Sequence, residues 1–107
     1  MGMGNSASDA LAGGVKTAPD IKNKTPKMYR VILFNDDYTS MEFVVEVLVT
    51  IFDKQAAEAT KVMLDVHKKG KGVCGIYTLD IATTKIKQVH FEAQKEGFPL
   101  RCGYEEA

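Results

Sequence analysis

Hydrophobic patterning begins at Tyr29. From Tyr29 to Phe34 apolar residues run almost unbroken, with β-branched and aromatic types prominent, which predicts a buried strand. Polar residues from Asn35 to Ser40 interrupt the run. Val44, Val47, Leu48, Ile51 and Phe52 then recur at the spacing of one helix face, predicting a helix from about Ser40 to Phe52. Thr39 and Glu42 have the Thr-x-x-Glu spacing of a capping box, in which each side chain satisfies an amide of the first turn. Asp53 reads as the cap of a second helix, which carries Ala56, Ala59, Met63, Val66 and His67 before Gly70 and Gly72 stop it. Val73 to Tyr77 predicts a second strand, with Gly75 marking a bulge. Thr78 caps a third helix with Asp80 in its first turn, a buried stripe of Ile81 or Ala82, Ile86, Val89 and Ala93, and an end at Gly97 and Pro99. Leu100 to Tyr104 makes a last strand. The order β-α-α-β-α-β predicts an α+β domain, three helices on one face of a three-stranded antiparallel sheet.

Residues 1–26 differ in character, being rich in Gly, Ala, Ser, Asn and Lys with Pro19 and Pro26 and no aromatic, so the folded domain is expected over 27–107 behind a flexible leader. The leader lacks the basic start and apolar core of a secretory signal. Met1-Gly2-Met3-Gly4-Asn5-Ser6 fits the loose myristoylation pattern, but no polybasic segment follows to make an anchor. Across all 107 residues 14 Lys and Arg balance 14 Asp and Glu, so no net field favours a nucleic acid partner. No apolar run approaches the roughly 20 residues that span a bilayer. Cys74 and Cys102 lie in strand-like runs and read as small buried hydrophobes; a disulfide between them requires neighbouring strands.

Asn35-Asp36-Asp37, between the first strand and first helix, is where chemistry concentrates. Such residues commonly do no more than form a turn, because they bond their own backbone. Their alternative use is as acceptors for a cation. A peptide's α-ammonium has three N–H donors and needs oxygen or neutral nitrogen acceptors, at least one charged, to leave water. Asn35 offers a carbonyl, Asp36 a carboxylate and His67 a ring nitrogen, with His67 one helical turn after Met63. By themselves, His67 is more readily read as a core histidine, and Met63 and Val66 as plain core. Lys68, Lys69 and Lys71 suit the C-terminal end of a helix dipole better than a phosphate site. Catalysis is not expected: no serine has the glycine flanks of a nucleophile elbow, and Cys74 is inside a strand. Intervals of 6, 15 and 11 residues between His67, Cys74, His90 and Cys102 fit no metal motif, so no metal or cofactor is expected.

Tyr-Arg-Val-Ile-Leu-Phe-Asn-Asp-Asp-Tyr-Thr-Ser-Met-Glu-Phe-Val, from Tyr29 to Val44, resembles the signature of the ClpS adaptor family. Met63-Leu64-Asp65-Val66-His67, Gly72-Val73-Cys74-Gly75-Ile76-Tyr77-Thr78, Thr84-Lys85 and Pro99-Leu100 continue it in order, from about Met28 to Tyr104. The resemblance implies an adaptor that binds the free N-terminal residue of N-degron substrates, Leu, Phe, Tyr or Trp, and delivers them to a ClpA- or ClpC-like AAA+ unfoldase. It implies that Asn35, Asp36 and His67 hold the α-amine. Thr39, Met41, Val44, Met63, Val66 and Leu100 would line the side-chain pocket, with Met41 as a gate against β-branched residues. It further implies contact of Asp80, Thr83 and Lys85 with the unfoldase's N-terminal domain, although Asp80 and Thr83 replace a common Glu. Ser40 replaces a common Pro. The leader would engage the unfoldase, where the plain alternative is a solubilising tail. A monomer is expected, cytoplasmic or in the plastid stroma, with no nucleic acid or membrane partner. Two competing readings are a ribosome-stalk-like interaction module, which needs no acceptor cluster, and a small hydrolase using Asp36 and His67.

Overall fold

The computed structural model describes residues 25–107, so the expectations for the leader and its lipidation lie outside the described residues. Three strands and three helices follow in the expected order: β1 Tyr29–Phe34, α1 Met41–Thr50, α2 Ala56–Lys69, β2 Lys71–Tyr77, α3 Leu79–Glu96 and β3 Arg101–Glu106. β1 is the central strand of an antiparallel sheet ordered β2-β1-β3. Its inward residues Val31 and Leu33 are fully buried, and they meet Val44, Val47 and Leu48 of α1, Val62 and Val66 of α2, and Val89 and Ala93 of α3 in one core. Because side chains alternate along a strand, Arg30, Ile32 and Phe34 point to the opposite face. There Arg30 pairs with Glu105 at 3.0 Å and the Arg101 guanidinium lies 5.5 Å from the centre of the Phe34 ring.

The register slips between Val31 and Ile32, which face Gly75 and Val73, leaving Cys74 as the extra residue of a bulge in β2. The bulge turns Cys74 into the core, where it is fully buried. β1 separates β2 from β3, so the two cysteines are not on neighbouring strands, and both are free. Burial pushes the Cys102 thiol up to about 12 and the Cys74 thiol higher still, with a contribution from Cys102, so neither ionises readily.

Several local expectations are corrected. The cap of α1 is Ser40, whose hydroxyl accepts from the Phe43 amide at 3.1 Å, and Thr39 is drawn elsewhere. Asp53 does not cap α2; it takes the left-handed conformation at φ 57°, which Asp tolerates, and the chain needs two further residues to reach the cap at Gln55. Gly70, at φ 90°, ends α2, but Gly72 belongs to β2 and serves a different purpose. A Cβ on Gly72 would stand 2.8 Å from a Val66 methyl and 3.0 Å from the Val62 carbonyl, so its bareness lets α2 lie against the sheet. The α3 stripe uses Ala82, while Ile81 is exposed. Thr78 holds the cap position of α3 without a side-chain cap bond. β3 begins at Arg101 and runs on to Glu106, with Leu100 in the irregular connector before it.

Candidate functional site

The connector from β1 to α1 is shaped by Asp36. Its Oδ1 accepts from the amides of Tyr38 at 2.8 Å and Thr39 at 2.7 Å, and its Oδ2 accepts from the Thr39 hydroxyl at 2.8 Å. Partial burial raises the carboxyl's pKa, but the bonds from the Thr39 amide, the Tyr38 amide and the Thr39 hydroxyl outweigh it and hold it below the usual range. Asp36 therefore stays ionised while building the turn. An ionised carboxylate offers about four lone-pair sites, so three bonds leave one unused. The Asn35 amide donates to the Gly70 carbonyl at 2.9 Å, which ties the end of β1 to the end of α2.

This tie brings two distant segments around one cleft of about 270 Å³. Asn35, Asp36 and Asp37 come from the connector and His67 from the last turn of α2; together they form the polar end. Among the described residues no hydrogen bond occupies the Asn35 side-chain amide, the Asp37 carboxylate or the His67 ring. Met41 and Val44 from the first turns of α1, with Met63 and Val66 from α2, make the apolar wall, and Thr39 also lines the cleft. The polar end lies at the C-terminus of α2, where the helix dipole is negative and favours a cation. The arrangement can hold an ammonium against acceptors while an apolar group packs on methionine and valine. Asp37, which is not among the residues the resemblance assigns to the amine, lines the cleft with the others.

Leu100 does not line this cleft; it is buried in the core with Val44 and Val66. Asp80 is exposed at the start of α3, and the Thr83 hydroxyl is turned back onto the carbonyls of Leu79 and Asp80. Lys85 points inward: its ammonium donates to the Ile51 carbonyl at the end of α1 at 2.6 Å and lies over the rings of Phe52 and Tyr77. A larger groove of about 490 Å³ runs between α1 and α3, floored by Phe43, Val47 and Phe91. It is bigger than the cleft and also holds carboxylates, Glu46 and Glu92, but Glu92 is already paired with Lys95 and Lys87 lines the same groove, so an ammonium is better served by the smaller one. Among the described residues no group of His, Cys, Asp and Glu could hold a metal, and no helix is long and apolar enough to cross a membrane.

Comparison with known proteins identifies the family. Residues 24–103 match the family described as ATP-dependent Clp protease adaptor protein ClpS. The ATP-dependent Clp protease adapter protein ClpS of Syntrophus aciditrophicus is 65% identical over 81 residues, 76% of this chain and 76% of that one. Its counterpart in Desulfatibacillum aliphaticivorans is 54% identical over 93 residues, 87% of this chain and 89% of the other. Among solved structures, Agrobacterium tumefaciens ClpS2 bound to L-phenylalaninamide superposes with a TM-score of 0.75 at 38% identity, covering 78% of this chain and all (100%) of that chain. Sequence and fold thus converge, and the chain belongs to the ClpS family of ATP-dependent Clp protease adaptors.

Proposed function

We propose that this adaptor captures the free N-terminal residue of substrate proteins, Leu, Phe, Tyr or Trp, and delivers them to a ClpA- or ClpC-like unfoldase. The observation that carries the reading is the union, in one cleft, of Asn35, Asp36, Asp37 and His67 with the apolar side chains of Met41, Val44, Met63 and Val66. Asn35, His67 in its neutral form and the unused lone pair of Asp36 accept from the α-ammonium. Asp37 adds a second negative charge at the mouth. The first side chain packs on Met41, Val44, Met63 and Val66, with Leu100 backing the core behind Val44 and Val66. Methionine suits this wall because its flexible thioether follows aromatic and aliphatic shapes alike. The family's relative bound to L-phenylalaninamide supports the reading, since that ligand combines a free amine with a benzyl side chain.

Burial of a Leu or Phe side chain contributes about 1.5–3 kcal/mol, and each charge-assisted bond to the amine about 1.5–3 kcal/mol. After association costs, micromolar to submicromolar Kd values (roughly −8 kcal/mol and beyond) follow for short peptides. Asp80 and Thr83 present the start of α3 to the unfoldase's N-terminal domain, and Lys85 acts there by holding α3 against the end of α1. Titration of a Leu-starting peptide against its acetylated and Met-starting versions tests the capture step. Free Leu is expected to bind at least tenfold tighter than either; equal affinity of the free and acetylated forms would refute amine capture.

A further inference from the structure

A second depression of about 380 Å³ adjoins the cleft, lined by Met41, Glu42, Val45 and Met63. Met41 and Met63 line both, so they form a saddle between the two. Met63 stands one helical turn from His67 on α2, which puts the shelf beyond Met63 on the side away from the acceptors. A chain whose amine is held at the acceptor end can only continue elsewhere, and the saddle is the apolar way out.

From this we infer that the shelf is a subsite for the third residue of the bound polypeptide, preferring a long aliphatic stem that ends in a cation, Arg or Lys. This rests on the capture of the first residue described above. In an extended chain residues one and three point to the same side, about 6.6–6.8 Å apart, so a first side chain seated against Met41 and Met63 in the cleft leaves the third within reach of the shelf that the same two residues line. The second side chain points the other way, into solvent. Met41, Val45 and Met63 give the stem an apolar bed, and Met41 is 44% exposed, open for such a contact. Glu42, exposed in the first turn of α1, supplies the opposite charge for the head group. Long cationic side chains favour this kind of site because their methylenes lie on apolar surface while the charge stays wet. No described residue pairs with Glu42 through a salt bridge, so its charge is available.

The experiment measures binding of peptides with a C-terminal fluorophore by anisotropy, using Leu-Gly-Gly as reference and Arg, Leu or Glu placed at position two or three. Arg at position three is expected to bind about three- to tenfold tighter than Gly, and Glu weaker than Gly. Glu42→Lys is expected to reverse that charge preference and leave Leu-Gly-Gly unchanged. Equal affinity for all third residues with the reference still bound, or a preference confined to position two, overturns the subsite while first-residue capture stands. A charge preference that survives Glu42→Lys overturns the role of Glu42. If the reference does not bind, or binds equally when acetylated, capture itself fails and the subsite falls with it.

Discussion

Replacing Asp36 by Asn separates two jobs that one carboxylate performs. The Asn side-chain carbonyl can take over from Oδ1 and accept from the Tyr38 and Thr39 amides, while its NH2 faces the Thr39 oxygen, which can accept instead of donate. The turn is therefore kept, while the charge and the spare acceptor site on Oδ2, which becomes an NH2 donor, are both lost. A hydrogen bond to a charged partner contributes about 1.5–3 kcal/mol where a neutral one gives about 0.5–1.5. Loss of a charge-assisted bond to the ammonium should then weaken a Leu-starting peptide by about 10- to 150-fold. Asp36→Ala removes the turn as well, freeing the Thr39 amide and hydroxyl, both of which are partly buried. It should lose at least as much affinity and, unlike Asn, also lower the melting temperature. Isothermal titration with free and acetylated peptide, beside thermal melts, separates the two jobs. Wild-type affinity in Asp36→Asn with loss in Asp36→Ala would show that Asp36 only shapes the connector, and the electrostatic part of the reading would be wrong.

Gly72→Ala should destabilise the fold by about 1–3 kcal/mol, because the Val62 carbonyl cannot step aside for a Cβ as a side chain could. A denaturant midpoint equal to wild type would mean α2 is not seated as tightly as described. Lys85→Gln removes the ammonium from the end of α1 and from above two aromatic rings, at a cost of about 1–2 kcal/mol, or very roughly 4–16 °C in Tm. Lys85→Arg should recover most of it, and an unchanged melt in the Gln variant would count against the clamp. The Asp36 carboxyl titrates lower folded than unfolded, so its contribution to stability is fully present above about pH 4 and disappears as pH falls through the folded value. The acid limb of an unfolding profile should accordingly flatten in Asp36→Asn; the same limb in both proteins would contradict the bonding described.

Much of this is legible in the chain itself, because pattern and position agree. The run from Tyr29 to Phe34 became the central strand with the bounds expected, and Gly75 did mark a bulge, although the unpaired residue is its neighbour Cys74. Caps were harder to read. Thr39 and Ser40 both have hydroxyls, and what decides between them is Asp36, which holds Thr39 three residues back and leaves Ser40 for α1. Gly72 looked like a helix stop because a glycine needed for close approach and one needed for positive φ are the same letter; only the packing of Val62 and Val66 distinguishes them. Lys85 could not be assigned an inward direction from the chain, since its partner is a carbonyl 34 residues away. Asp37 belongs to the acceptor cluster in the sequence, but the chain alone does not show which of two adjacent carboxylates serves the cleft, and both line it.

The single amide-to-carbonyl link from Asn35 to Gly70 has a use beyond architecture. Two arms of the receptor, far apart in the chain, are latched at this point, so any guest that steadies both must also slow the opening of the latch. Deuterium uptake at the Asn35 amide then becomes a built-in gauge of occupancy, readable without attaching a dye to host or guest.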